Sequence, residues 1–129
     1  VIPGLIRKFH EAKESNQPTV TCWGDGTPLR EFLYADDLAN ACVFLMNNFD
    51  GEEPINIGSG VEINIKTLAK TIADVIGYEG EVEWDTSKPN GTIRKVMDVS
   101  KIKGLGWSPQ VSFETGIKVA YGDFLKRFG

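Results

Sequence analysis

The residues best equipped for chemistry are aromatic and cationic, and they fall in two places. Trp23 precedes the turn Gly24-Asp25-Gly26-Thr27-Pro28, and Leu29-Arg30 follows it. An indole offers a flat apolar face for a base or sugar, and a guanidinium offers a planar fork for phosphate oxygens. A buried Trp with a surface Arg paired to Glu31 is the plainer alternative. The second place is Asp85–Lys95, DTSKPNGTIRK, which carries Lys88, Arg94 and Lys95 and no acid beyond Asp85. A Pro-Asn-Gly turn lets backbone amides point outward, and the cations beside it could add an anion site; a solvated turn is the alternative. Because the chain has a net charge of −4 and a pI near 5.0, any anion site must be local. A phosphorylated ligand with a flat group explains both clusters together.

Other chemistry is poorly represented. No G-x-G-x-x-G follows a strand and no G-x-x-x-x-G-K-[ST] occurs, so neither Gly24-Asp25-Gly26 nor Gly58-Ser59-Gly60 reads as a self-contained nucleotide cradle. His10-Glu11 starts like a metalloprotease motif, but Glu14 stands where the second His belongs, and His10 reads as a packed or surface residue. One His supports no Ser-His-Asp set, and G-x-S-x-G is absent. Asp36-Asp37 could act as paired carboxylates, although a helix N-terminus explains them more cheaply. Cys22 and Cys42 read as reduced, largely buried thiols of a cytoplasmic protein, and with a single His they make no zinc site. The acidic pI argues against nucleic acid and anionic membrane as partners. No catalytic residue is expected within this chain.

The elements that must position these groups follow from periodicity. Ile2, Leu5, Ile6 and Phe9 share one face of a helix over 2–14, with Pro3 in its first turn. Thr19–Trp23 reads as a strand and Arg30–Tyr34 as a second extended piece. Asp36 or Asp37 is expected to cap a helix that buries Leu38, Ala41, Cys42 and Leu45. Ile55–Ile57 reads as a buried strand. Asn64 caps a helix carrying Ile65, Leu68, Ala69, Ile72 and Ile76, which ends at Gly77. Glu81–Trp84 is a strand, Val96–Val99 an extended stretch and Ser100–Leu105 a short helix. Ser112 caps a last helix with Phe113, Ile117, Ala120, Tyr121, Phe124 and Phe128 inward. Helices interleaved with short strands give an α/β or mixed α+β class, and the 129 residues suit one domain with no membrane span. Val1–Phe9 opens into a helical pattern without a signal peptide, and with no initiator Met the chain is expected to be a fragment.

The runs VIPGLIRKFHEAK, VTCWGDGTPLREFLYADDLANAC, INIGSGVEINIKTLAKTIADVIGY and DTSKPNGTIRKVMDVSKIKGLGW resemble, in order, the C-terminal part of the GDP-L-fucose synthase branch of the extended short-chain dehydrogenase/reductases. The pattern W-G-x-G-x-x-x-R-E-F-x-[YH]-x-D-D is widespread among the extended members that act on nucleotide sugars. S-K-P-[DN]-G-T-x-R-K is narrower and points to this branch.

The resemblance implies a substrate-binding domain over 1–129, with a GDP-sugar as ligand. An N-terminal Rossmann domain would bind NADPH and supply a Ser and a Tyr-x-x-x-Lys pair, and the family's epimerising His would sit immediately before Val1. None of these matches here: positions 38, 82 and 125, four beyond each Tyr, hold Leu38, Val82 and Leu125. The catalytic Cys also lies in that part, so Cys22 is not its counterpart. Carried over as substrate-binding are Lys8, where the family often has Arg, together with Trp23, Arg30, Lys95 and Asn90, where Asp is common. Lys at position 8 keeps the charge but loses the fork. The resemblance implies a full-length enzyme that is typically a homodimer, and the helix faces that pack on the Rossmann half would be exposed in this chain alone.

Overall fold

Pro3 in the first turn and an apolar stripe start α1, Ile2–Glu14, which buries Ile6, Phe9 and Ala12. The chain then enters β1, Thr19–Trp23, where alternation turns Val20 and Cys22 inward and Thr21 and Trp23 outward. These elements belong to a computed structural model that describes residues 1–129. After β2 (Leu29–Glu31) and α2 (Ala35–Asn48) come β3 (Glu62–Asn64), α3 (Ile65–Ile76), β4 (Glu81–Asp85) and β5 (Arg94–Lys95). The short α4 (Ser100–Gly104) and the terminal α5 (Phe113–Phe128) complete the order.

The strands form two small sheets. β1 and β4 run parallel, with Cys22 opposite Trp84 and Trp23 opposite Asp85. The other sheet has the order β3-β2-β5, antiparallel between β2 and β3 and parallel between β2 and β5. Helices α1, α3 and α5 bury one core, in which Phe9, Leu68 and Ile72 are fully enclosed beside Val20, Cys22 and Ile117. A second, smaller cluster joins Ala41, Ile102 and Trp107, and the Trp107 indole N–H donates to Asn40 Oδ1 at 3.0 Å. The fold class is mixed α/β, as expected. Asn64 and Ser112 accept the amides of Thr67 and Thr115, which are the expected caps of α3 and α5. None of the helices is long and apolar enough to cross a membrane.

Several local expectations need correction. Ile55–Ile57 is not a strand: it runs without regular hydrogen bonding, and its isoleucines pack half-buried on the Ala41–Ile102–Trp107 cluster. The strand that pairs antiparallel with β2 lies seven residues later, at Glu62–Asn64. The extended piece expected over Arg30–Tyr34 is a strand only at Leu29–Glu31, and no strand forms over Val96–Val99: the strand there, Arg94–Lys95, ends just before it. Neither Asp36 nor Asp37 caps α2. Tyr34 stands at the N-cap without a side-chain bond, and Asp37 turns inward, where its two carboxylate oxygens accept the amides of Gln110 and Val111 at 3.1 and 3.0 Å. Of the four residues expected inside α2, only Ala41 is buried. Phe128, expected inward, is largely exposed and rests against Phe124 with the Arg7 guanidinium over its ring.

The thiols also differ from expectation: Cys22 is buried, but Cys42 is exposed. Burial pushes the Cys22 thiol up, partly opposed by the nearby Lys8 ammonium. Iodoacetamide near neutral pH is therefore expected to label Cys42 at least about tenfold faster than Cys22, because the thiolate is the reactive form. Time-resolved peptide mass spectrometry reads this directly; equal rates would show that Cys22 is neither shielded nor suppressed.

Candidate functional site

Beyond Trp23 the chain makes a turn that its neighbours fix from several sides. Gly24 N–H donates to Asp85 O at 2.9 Å, and Ile65 N–H and Lys66 N–H donate to Pro28 O and Gly26 O. The amide and hydroxyl of Thr27 both donate to Asp25 Oδ1, at 2.9 and 2.7 Å. These bonds hold the Asp25 carboxyl below its ordinary range, with a smaller contribution from Asn90. Any stability this lends the turn is present above the usual carboxylate range and is lost as pH falls through the lowered value.

The turn forms one wall of a cleft of about 430 Å³. Lys8 from α1, Cys22 and Trp23 from β1, Arg30 from β2 and Asn90 from the segment after β4 all line it. Four of the five residues expected at the site are thus brought together from separate parts of the chain. The Trp23 side chain is 66% exposed, an uncommon state for so large an apolar group without a partner. Lys88 Nζ lies over its ring, 5.5 Å from the centroid. Lys8 Nζ donates to Thr21 O at 2.7 Å, which places its charge at the rim. Arg30 Nη1 donates to Leu29 O at 2.7 Å, so the guanidinium is held half-buried with its other donors uncommitted.

Lys95 does not line the cleft. It sits on β5 in register with Arg30 on β2, so two cations stand side by side on neighbouring strands. Arg94 instead pairs with Glu62 of β3 across the sheet. Glu31 is not the partner of Arg30: its carboxylate accepts Gly60 N–H at 2.7 Å and Met97 N–H at 3.4 Å. Neither that role nor the position of Lys88 over Trp23 has a local signature, because both contacts join distant segments.

The two G-x-G turns are committed internally. A Cβ at Gly26 would press on Lys66 and the Trp84 ring, and the Gly60 amide is taken by the Glu31 carboxylate. Neither leaves a row of free amides for a dinucleotide pyrophosphate, so the residues present do not fit NADPH. A larger groove of about 700 Å³ lies between Phe32–Ala35, Val61, Ile63 and Pro109–Phe113. No charged side chain lines it, so a phosphorylated ligand has no reason to enter.

The model of the NAD dependent epimerase/dehydratase family matches residues 1–58, and the chain resembles the extended short-chain dehydrogenase/reductases. It is similar to GDP-L-fucose synthases. It is 52% identical over 126 residues to GDP-L-fucose synthase 1 of Arabidopsis thaliana, covering 98% of this chain and 39% of that protein. The GDP-L-fucose synthase of Escherichia coli (strain K12) is 46% identical over 135 residues, covering 98% of this chain and 42% of the relative. The crystal structure of a GDP-L-fucose synthetase from Naegleria fowleri bound to NADP superposes with a TM-score of 0.91 at 34% identity, covering 99% of this chain and 40% of that one. The chain thus spans about two fifths of the length of these relatives.

Proposed function

We propose that the chain is the substrate-binding domain, residues 1–129, of a cytoplasmic GDP-L-fucose synthase. The whole enzyme would convert GDP-4-keto-6-deoxy-D-mannose to GDP-L-fucose by 3,5-epimerisation and NADPH-dependent 4-reduction. The observation that carries this reading is the convergence of Lys8, Trp23, Arg30 and Asn90 on one cleft. The Trp23 face suits the base or ribose of the nucleotide. Arg30 and Lys8, with Lys95 beside Arg30, suit the diphosphate. Asn90 forms part of the cleft wall, its oxygen held by the Asp25 amide and its Nδ2 left to donate.

In this reading NADPH, the groups that exchange protons and the hydride acceptor geometry belong to an N-terminal Rossmann domain of the same polypeptide. That domain would cover the apolar groove between Phe32–Ala35 and Pro109–Phe113, and the full enzyme would be a homodimer. The chain's role is to hold the GDP moiety so that the 4-keto sugar reaches the other domain. Binding energy from a remote, unreacting group serves orientation at the reacting carbon.

The test has two parts. The 129-residue chain is expected to bind GDP more tightly than UDP by calorimetry and to oxidise no NADPH. Joined to its N-terminal part, it is expected to consume NADPH with GDP-4-keto-6-deoxy-D-mannose. NADPH-dependent turnover by the 129 residues alone refutes the reading, and preference of the joined protein for a different nucleotide sugar moves it to another branch of the family.

A further inference from the structure

We propose that Asn90 is a positioning residue of the cleft, latching the segment 86–91 onto the Gly24-Asp25-Gly26 turn and so fixing Trp23, Lys88 and Arg30 relative to one another. The latch stands on geometry; its consequence for a ligand rests on the nucleotide-binding reading above. β1 and β4 end their ladder at Trp23 opposite Asp85, and Gly24 N–H to Asp85 O adds one backbone bond beyond it. The next bond is made by a side chain. Asp25 N–H donates to Asn90 Oδ1 at 2.8 Å, across 65 positions of sequence. Asn90 therefore extends the strand pair into two segments that have no regular pairing of their own.

Gly24 keeps the space for this bond. It has φ +84°, and a Cβ there would overlap Asn90 Oδ1. Two residues before Asn90, Lys88 lies over one face of the Trp23 indole, which leaves the opposite face for a flat group. One residue after it, Gly91 lies beside the guanidinium: a Cβ built there would be 3.8 Å from Arg30 Nη2. The groups suited to a nucleotide thus meet on the segment that Asn90 pins. An oxygen committed to the Asp25 amide is not free for a ligand, so Asn90 acts chiefly by holding the wall, with only its Nδ2 left to donate.

The test uses nuclear magnetic resonance on this chain, with GDP as the probe. Asn90→Ala is expected to speed hydrogen exchange of the Asp25 amide by about tenfold or more, since one local bond closes that segment. It should also shift the Trp23 indole N–H resonance and raise the GDP dissociation constant about fivefold, the size expected for one lost hydrogen bond. Asn90→Asp keeps the acceptor, so it should keep Asp25 protected and, at salt high enough to screen its added charge, recover most of the affinity lost in Asn90→Ala. That rescue separates positioning from general loss of fold. Gly24→Ala leaves Asn90 in place but ejects its oxygen, and it should reproduce the exchange and indole changes of Asn90→Ala. A protected Asp25 amide in Asn90→Ala overturns the latch. Equal loss of affinity in both Asn90 variants, with Asp25 still protected in Asn90→Asp, overturns the positioning role in favour of direct contact through the amide. If the unaltered chain binds no GDP, the nucleotide reading fails, and the latch is judged on Asp25 exchange and the indole signal.

Discussion

Asp37→Ala will lower the unfolding free energy by about 2–4 kcal/mol, while Asp36→Ala next to it will change it by less than about 0.5 kcal/mol. The two acids are adjacent in sequence and opposite in circumstance. Asp36 is exposed in the first turn of α2, where it meets the helix dipole and water. Asp37 is 4% exposed and bonds the backbone of Gln110 and Val111, which leads into α5. Removing its carboxylate strands two part-buried amides and loosens the link between α2 and the last helix. The loss of charge-assisted bonds sets the scale of the effect. Asp37→Asn should fall between the two, since one oxygen remains to accept. Urea unfolding followed by circular dichroism gives the comparison; similar midpoints for Asp36→Ala and Asp37→Ala would mean that the buried bonds do not hold the structure together.

That pair also marks where the sequence could be read and where it could not. Helices α1 and α3 were legible because their signals are local: a stripe at helical spacing, Pro3 at the start, Asn64 at a cap. In α2 apolar residues also occur off the Leu38–Ala41–Cys42–Leu45 stripe, so the stripe does not select the buried face: Ala41 is enclosed and Phe44 and Leu45 pack beside it. Leu38, Val43 and Met46 stay outside. The inward Asp37 has no local signature, because its partners lie over seventy positions away. β3 was missed for the same reason. Ile55 and Ile57 have the composition of a strand but no partner, whereas Glu62–Asn64 looks unremarkable in sequence and is selected by Arg30 and Leu29 across the ladder. At the cleft, residue type was informative and geometry was not. Trp23 and Arg30 announced a flat and a forked group on one turn. The Asn90 bond to Asp25, the Lys88 contact and the engagement of Glu31 with Gly60 all depend on long-range closure.

Arg30→Ala will weaken GDP binding about 10- to 100-fold, the largest loss of any single change in the cleft, because charge-assisted bonds to phosphate exceed neutral ones. The case for Arg30 over Lys8 or Lys95 is preorganisation. Its guanidinium is half-buried between strands and already tethered to Leu29 O, so little side-chain freedom remains to be lost on binding. Lys95 shares the register but is exposed and makes no bond that holds it, so Lys95→Ala should cost only a few-fold. Arg30→Lys restores the charge without the fork and should recover part of the loss, whereas raising the salt should narrow the gap between the two variants. Because Arg30 bonds only its own neighbour's carbonyl, its removal should leave the thermal midpoint nearly unchanged, which separates lost contact from lost structure. Calorimetric titration with GDP at two salt concentrations measures all of these terms. An Arg30→Ala chain that binds GDP as tightly as the parent places the diphosphate elsewhere, and with it the whole cleft assignment.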